Sequence, residues 1–254
     1  MSKTARVFLP VDGYDPNSWP LAIHCAEQIN AAQTPSVSDV VLLIHQQSIL
    51  AHSSLSAFMG DQIVKALRAA KPVALPSGAA LRMETKRTIR HLARPTTIIA
   101  FYADDAILEI VDGLANVAGV VAVEDLRGSA DQWVARWSPI VPGQAAKPPT
   151  QIIKDSVVLK ALESLSGLVN KSNAVLTSSY EDWAKDVLCI LRAKGHSADP
   201  QNIKSWAIRD GWKLGAADDL AKLAKKTFEM KTKPSLARIA NAAERYERWC
   251  AKTA

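Results

Sequence analysis

Residues 96–125 read TTIIAFYADDAILEIVDGLANVAGVVAVED. Residues 97–101 and 120–123 are apolar almost throughout, as strands covered on both faces must be. Between them, residues 106–117 set Ile107, Ile110, Val111 and Leu114 on one face of a helix. A strand, a helix and a second strand with short joints predict parallel strands linked by a crossover.

The same alternation runs back toward the start of the chain. Residues 6–9, 40–44 and 72–75 are further candidate strands, and residues 20–31, 55–70, 86–93 and 130–137 are candidate helices. It stops at residues 138–150, SPIVPGQAAKPPT, where Pro139, Pro142, Pro148 and Pro149 exclude both a helix and a central strand. Beyond that point the apolar period is helical. Val158, Ala161, Leu162, Leu165, Leu168 and Val169 form one stripe, and Tyr180, Trp183, Val187, Ile190 and Leu191 form another. Asp199-Pro200 has the form of a helix cap followed by a first-turn proline. Further helices are predicted over residues 216–230 and 234–252. The expected fold class is therefore α/β. A Rossmann-like three-layer domain with a mostly parallel five-stranded sheet (residues 1–138) is followed by a Pro-rich linker (139–154) and a basic all-α helical domain (155–254).

Composition bounds the function classes. The chain has 254 residues, 48% of them hydrophobic and 22% charged, which excludes wholesale disorder. Its apolar runs, such as Val40-Val41-Leu42-Leu43-Ile44, are far shorter than the roughly 18–20 residues of a membrane span, so no membrane partner is expected. The opening MSKTARVFLPVDGYD reads as mature protein rather than as a signal peptide. Three widely spaced cysteines, Cys25, Cys189 and Cys250, give no disulfide framework or zinc spacing and point to a reducing cytoplasm.

Charge is unevenly placed. Residues 1–150 carry 13 Lys+Arg against 13 Asp+Glu, so the net +6 belongs to the helical part. A basic module attached to a neutral one suits an anionic partner, either nucleic acid or an acidic protein. On a helix over residues 234–252, Arg238, Asn241, Arg245, Arg248 and Lys252 fall opposite the apolar Leu236, Ile239, Ala240 and Tyr246, forming a cationic row for phosphates. Lys222, Lys225 and Lys226 add to it from the preceding helix, whose pairing with IKSWAIRDG has a helix-turn-helix rhythm. Asp218 and Asp219 at the start of that second helix argue against base reading, because phosphates would repel them. Trp183 and Trp206 fit the core, whereas Trp249 falls between the apolar and basic faces of the last helix, where it could stack on a base beside Arg245 and Arg248 but is expected rather to pack against another helix.

Two sites are expected in the α/β part. Thr85, Lys86, Arg87 and Arg90 open a predicted helix whose free amides and cations would suit a phosphate. Open parallel sheets bind ligands beyond the carboxyl ends of their strands, where Asp12, Asp104, Asp105 and Asp125 lie. If those strands are neighbours, the carboxylates converge, as a Mg²⁺-dependent nuclease or phosphatase requires. The cofactor is otherwise unknown. Segment VFLPVDGYD resembles the strand-end aspartate of PIN- and NYN-type nucleases through one Asp-Gly after a strand, and that match names no family. The sequence lacks GxGxxG after the first strand, GxxxxGK[ST], GxSxG, HExxH and CxxC. Three readings result. The chain is a nucleic-acid-interacting protein with the α/β domain as scaffold or sensor, an enzyme or sensor with a nucleotide or phosphate ligand at the strand ends, or an assembly protein docking an acidic partner.

Overall fold

The computed structural model describes residues 4–146 and 148–251, and divides the chain into two compact units, Met1–Pro149 and Thr150–Ala254. The first unit runs β1 (Ala5–Leu9), α1 (Ser18–Ala32), β2 (Asp39–Ile44), α2 (Ile49–His52), α3 (Ser54–Met59), α4 (Asp61–Arg68), β3 (Val73–Ala74), β4 (Ala80–Thr85), β5 (Thr96–Ala103), α5 (Asp105–Gly113), β6 (Val117–Glu124) and α6 (Asp131–Trp137). Its strands form one sheet in the order β1-β6-β5-β2-β4-β3, parallel except for the β3–β4 pair. The fold is α/β.

Period-two alternation divides the sheet's side chains between two cores. Val7, Leu9, Val40, Leu42, Ile99, Phe101 and Val121 pack with Trp19, Ala22, Ala26 and Ile29 of α1 and with Leu50, Leu55 and Leu67. Phe8, Val41, Leu43, Ile98, Val120 and Ala122 pack on the opposite face with Ile107, Leu108 and Val111 of α5 and Trp133 of α6. Burial of β2 and β5 along their whole length explains the apolar runs 40–44 and 98–101 within them.

Several expectations are corrected. The sheet has six strands, not five, because residues 80–85 form β4 while the predicted strand at 72–75 shrinks to the two-residue antiparallel β3. The predicted helix at 86–93 is absent. There Thr85 and Thr88 exchange backbone and side-chain hydrogen bonds that compete with helical ones, yet the non-helical segment still buries Ile89 and Leu92 against the sheet. The helix predicted over 55–70 breaks into α3 and α4 at Gly60, whose φ of +82° lies in the left-handed half of backbone space.

The second unit contains α7 (Ser156–Ser166), α8 (Ser178–Ala193), α9 (Pro200–Arg209), α10 (Leu214–Phe228) and α11 (Ala242–Ala251), and no strand among its described residues. Asp155 caps α7 at the amides of Val157 and Val158, and Asp199 caps α9 at those of Gln201 and Asn202. Most of each predicted stripe is buried, with Val158, Ala161, Leu162 and Leu165 from α7 and Val187, Ile190 and Leu191 from α8, but Leu168, past the end of α7, and Trp183 are exposed. The helix predicted over 234–252 is corrected to α11, which begins only at Ala242, after Asn241 at φ +53°. Residues of the expected linker enter both units. Ile140 exchanges backbone hydrogen bonds with Phe8 and Arg6 beside β1, and Ile153 is buried. Among the described residues, no helix is long and apolar enough to cross a membrane.

Candidate functional site

Because β1, β6, β5 and β2 are successive neighbours, the residues just past their carboxyl ends follow one sheet edge: Asp12, Asp125, Asp104 and His45. Asp104 caps α5 by accepting from the Ile107 amide at 2.8 Å, and its Oδ1 lies 3.6 Å from His45 Nε2. The same His45 nitrogen is 3.1 Å from the Tyr102 carbonyl oxygen. Asp12 Oδ1 accepts from the Tyr14 amide at 2.9 Å. Burial raises Asp125 above its ordinary 3.8, and Asp104 and Asp12 add to this against the pull of His45. Tyr14 is raised in turn, chiefly by Asp125.

Tyr102 organises this edge. A register shift in the β5–β6 ladder between Phe101 and Ala103 puts Tyr102 at φ +55°. Its ring sits 5.4 Å from that of Tyr14, and its hydroxyl lies 2.9 Å from Ser54 Oγ and accepts from the Leu55 amide. Gly13 makes room for the ring, since a Cβ there would sit 2.7 and 2.8 Å from two ring carbons. Asp105 takes no part in the edge. Its carboxylate accepts from the amides of Trp133 and Gln132 and so caps α6, and burial raises its pKa. Among the described residues, no group of three or more His, Cys, Asp or Glu is placed to hold a metal ion. The carboxylates therefore do not fit the Mg²⁺ centre that the sequence allows. What the edge offers is an imidazole–carboxylate pair, two more carboxylates and two phenols, which suit hydrogen bonding and proton transfer.

The phosphate site expected at Thr85, Lys86, Arg87 and Arg90 loses its helix N-terminus, since no helix forms there. Thr85 is buried against Thr88, while Lys86, Arg87 and Arg90 are exposed. Arg90 lines a cavity of about 780 Å³ with Arg82 and Arg94, but Arg82 pairs with Glu84 and Arg94 with Asp39.

In the second unit the cationic row is split. Arg238 and Asn241 precede α11, and Lys252 lies outside the described residues. Arg245 lies 3.5 Å from Asp186 and 5.9 Å from the centre of the Trp249 ring. Arg248 is exposed. Trp249 is only 4% exposed, whereas Trp183, expected in the core, is corrected to an exposed position at 41%. On α10, Lys222 is 3.6 Å from Asp219, whereas Lys225 and Lys226 are exposed in the last turn. Asp218 pairs with Lys204 across the α9–α10 turn at 2.7 Å, and Asp219 accepts from the Leu176 amide. Asp218 thus braces a helical hairpin, and Asp219 ties α10 to the segment before α8.

Several participants escape a sequence reading. Arg192 Nη2 donates to the Met230 carbonyl at 3.0 Å, tying the end of α8 to the end of α10, where Lys231 and Lys233 are also exposed. His196 joins Asp155 at 2.7 Å through Nδ1 and the Tyr246 hydroxyl at 3.0 Å through Nε2. Tyr102 and His196 carry no local sequence signal, because their partners are 47 and 41 or more positions away.

Over residues 154–250 the chain is similar to a family described as a domain of unknown function, DUF1889. No curated protein and no solved structure matches the chain.

Proposed function

We propose that the chain is a nucleic-acid-interacting protein whose second unit, read as an all-α domain, supplies the phosphate contacts. The first unit, read as Rossmann-like, serves as scaffold or ligand sensor. The observation that carries this reading is the cationic end shared by α8 and α10. The Arg192–Met230 hydrogen bond brings Arg192 together with Lys225, Lys226, Lys231 and Lys233, among which Glu229 is the one acid from 222 to 233. Four other cations of this unit lie beside acids: Lys160 by Glu163, Lys171 by Asp210, Lys204 by Asp218 and Arg245 by Asp186. A polyanion therefore meets less competition at the α8–α10 end than at those four.

The test is binding of labelled single- and double-stranded oligonucleotides across ionic strength. The logarithm of affinity should fall linearly with the logarithm of salt concentration, by about 0.7–0.9 per phosphate neutralised. Lys225→Glu with Lys226→Glu should flatten the slope. Binding with the same slope after that reversal would dismiss the proposed interface.

A second reading is favoured by the strand order. Adjacency of β1, β6, β5 and β2 supports a ligand site at Asp12, Asp125, Asp104 and His45, for a nucleotide or other polar metabolite held by hydrogen bonds. A ligand selective for the folded chain raises its melting temperature. A thermal-shift screen should find a compound whose effect Asp125→Asn abolishes. An equal shift in that variant would place the ligand elsewhere.

A further inference from the structure

The second unit carries a cleft of about 490 Å³ between α7, α8 and the segment ending in α11. That volume is within the range of small-ligand pockets, roughly 300–1,000 Å³. Its walls include Leu168 and Trp183, which are 58% and 41% exposed although both are large and apolar. The Trp183 ring is buttressed by that of Tyr180 at 5.5 Å, so its free face is held rather than loose. Trp249 lines the cleft from beneath, with the Arg245 guanidinium beside its ring. Asp186 is the one carboxylate among the lining residues, and it already lies 3.5 Å from Arg245. Arg248 lines the same cleft as an exposed cation with no acid within salt-bridge distance among the described residues.

An apolar peptide would satisfy Trp183 and Leu168 but leave Arg248 without a partner. A duplex would meet Arg248 but keep its bases stacked inside. A planar ring joined to a phosphate satisfies both, because every base has a face to stack and every nucleotide carries an anion. We propose that this cleft takes one unpaired base of a single-stranded nucleic acid, stacked on Trp183, with the adjoining phosphate at Arg248. This rests on the nucleic-acid reading above and specifies its substrate class. The cationic end of α8 and α10 serves any strand, whereas the cleft selects unpaired ones.

Fluorescence anisotropy with a labelled oligothymidylate and with a hairpin duplex of equal phosphate number tests both levels on the full chain. Wild type should bind the single strand more tightly at equal salt. Trp183→Ala should weaken that affinity about 5- to 150-fold, the equivalent of ~1–3 kcal/mol per stacked base, with duplex binding unchanged. Trp183→Phe, which keeps an aromatic face and the fold, should recover most of the loss, and Arg248→Ala should reduce the salt slope for the single strand. If Trp183→Ala leaves single-strand affinity unchanged while Lys225→Glu with Lys226→Glu weakens both probes, the cleft assignment is overturned and the broader reading stands. If wild type binds neither probe at low salt, both fall.

Discussion

Replacing Asp112 by alanine probes the most heavily used carboxylate of the first unit. Asp112 closes α5 onto α6. Its side chain is 1% exposed and accepts from Arg136 Nη1 at 2.7 Å, from Trp137 Nε1 at 3.0 Å and from Trp133 Nε1 at 3.3 Å. Arg136 is itself only 2% exposed, so removing Asp112 leaves a guanidinium far from water. Breaking a buried pair from one side costs about 3–5 kcal/mol, because the surviving charge is uncompensated. Glu109, 3.7 Å from Arg136 and partly exposed, supplies some replacement field and places the expected loss near the lower end. About 3 kcal/mol is a factor of roughly 150 in the folded-to-unfolded ratio, a large share of a typical domain's stability. Urea unfolding followed by tryptophan fluorescence reads this directly, since Trp133 and Trp137 report from the same place. Asp112→Asn retains an acceptor for the indoles and should lose less. Asp112→Leu with Arg136→Met, which removes both charges, should recover much of the loss. A loss below ~0.5 kcal/mol for Asp112→Ala would refute the reasoning, because it would mean that water or Glu109 serves Arg136 equally well.

Three further outcomes are expected. Gly13→Ala drives a Cβ against the Tyr102 ring, whose hydroxyl is held by Ser54 and Leu55; overpacking of this kind costs ~1–3 kcal/mol, and a denaturation midpoint equal to wild type would show that the ring yields freely. Burial pushes Asp155 up, but hydrogen bonds from His196 and the amides of Val158 and Val157 outweigh it and hold the carboxyl below 3.8. A depressed folded value contributes stability above the unfolded value and loses it as pH falls through the folded one. The second unit's melting temperature should therefore drop below about pH 4, more steeply than in Asp155→Asn; parallel pH curves would count against the pair. Asp125 is raised, so its ionisation works against folding as pH rises past the ordinary carboxylate range, and Asp125→Asn should be neutral or stabilising at pH 7. Carboxyl-carbon NMR should show the Asp125 titration moving down in Asp12→Asn, and a stationary curve would separate the two carboxylates.

What could be read from the sequence follows from which physical signals are local. β2, β5 and β6 are legible because burial on both faces demands consecutive apolar residues. β4 hides because Arg82 and Glu84 alternate with Leu81 and Met83, and two charges in a six-residue strand imitate a helix or loop. The i, i+4 series of Lys86, Arg90 and Arg94 suggests a helix, but the Thr85–Thr88 turn decides the backbone there. Asp12, Asp104 and Asp125 are legible as strand-end residues, yet their convergence depends on strand order, which no local pattern encodes. Tyr102 was beyond reach, since FYAD reads as ordinary strand and its left-handed backbone arises from a ladder irregularity with β6. The exposure of Trp183 has a similar origin. Helical periodicity orders residues around an axis but does not say which side a neighbouring helix will cover.

Formal charge has the same weakness, because it counts cations without their partners. Lys204 adds to the sequence excess but is buried against Asp218, and Arg245 adds to it but faces Asp186. The surplus that survives pairing includes Lys225, Lys226, Lys231 and Lys233, which fall close together in sequence. A helix dipole alone explains the first two, which lie in the last turn of α10, where cations offset unpaired carbonyls. It does not explain Lys231 and Lys233, because the dipole's field fades within that turn and both residues lie past it. Four like charges between 225 and 233, all exposed, repel one another without contributing to the core. Their cost is offset when an anion is bound, so charge reversal at Lys231 and Lys233 should slightly stabilise the unliganded chain while weakening its hold on a polyanion. Reversal that lowers the melting temperature of the unliganded chain would instead assign these lysines to the fold.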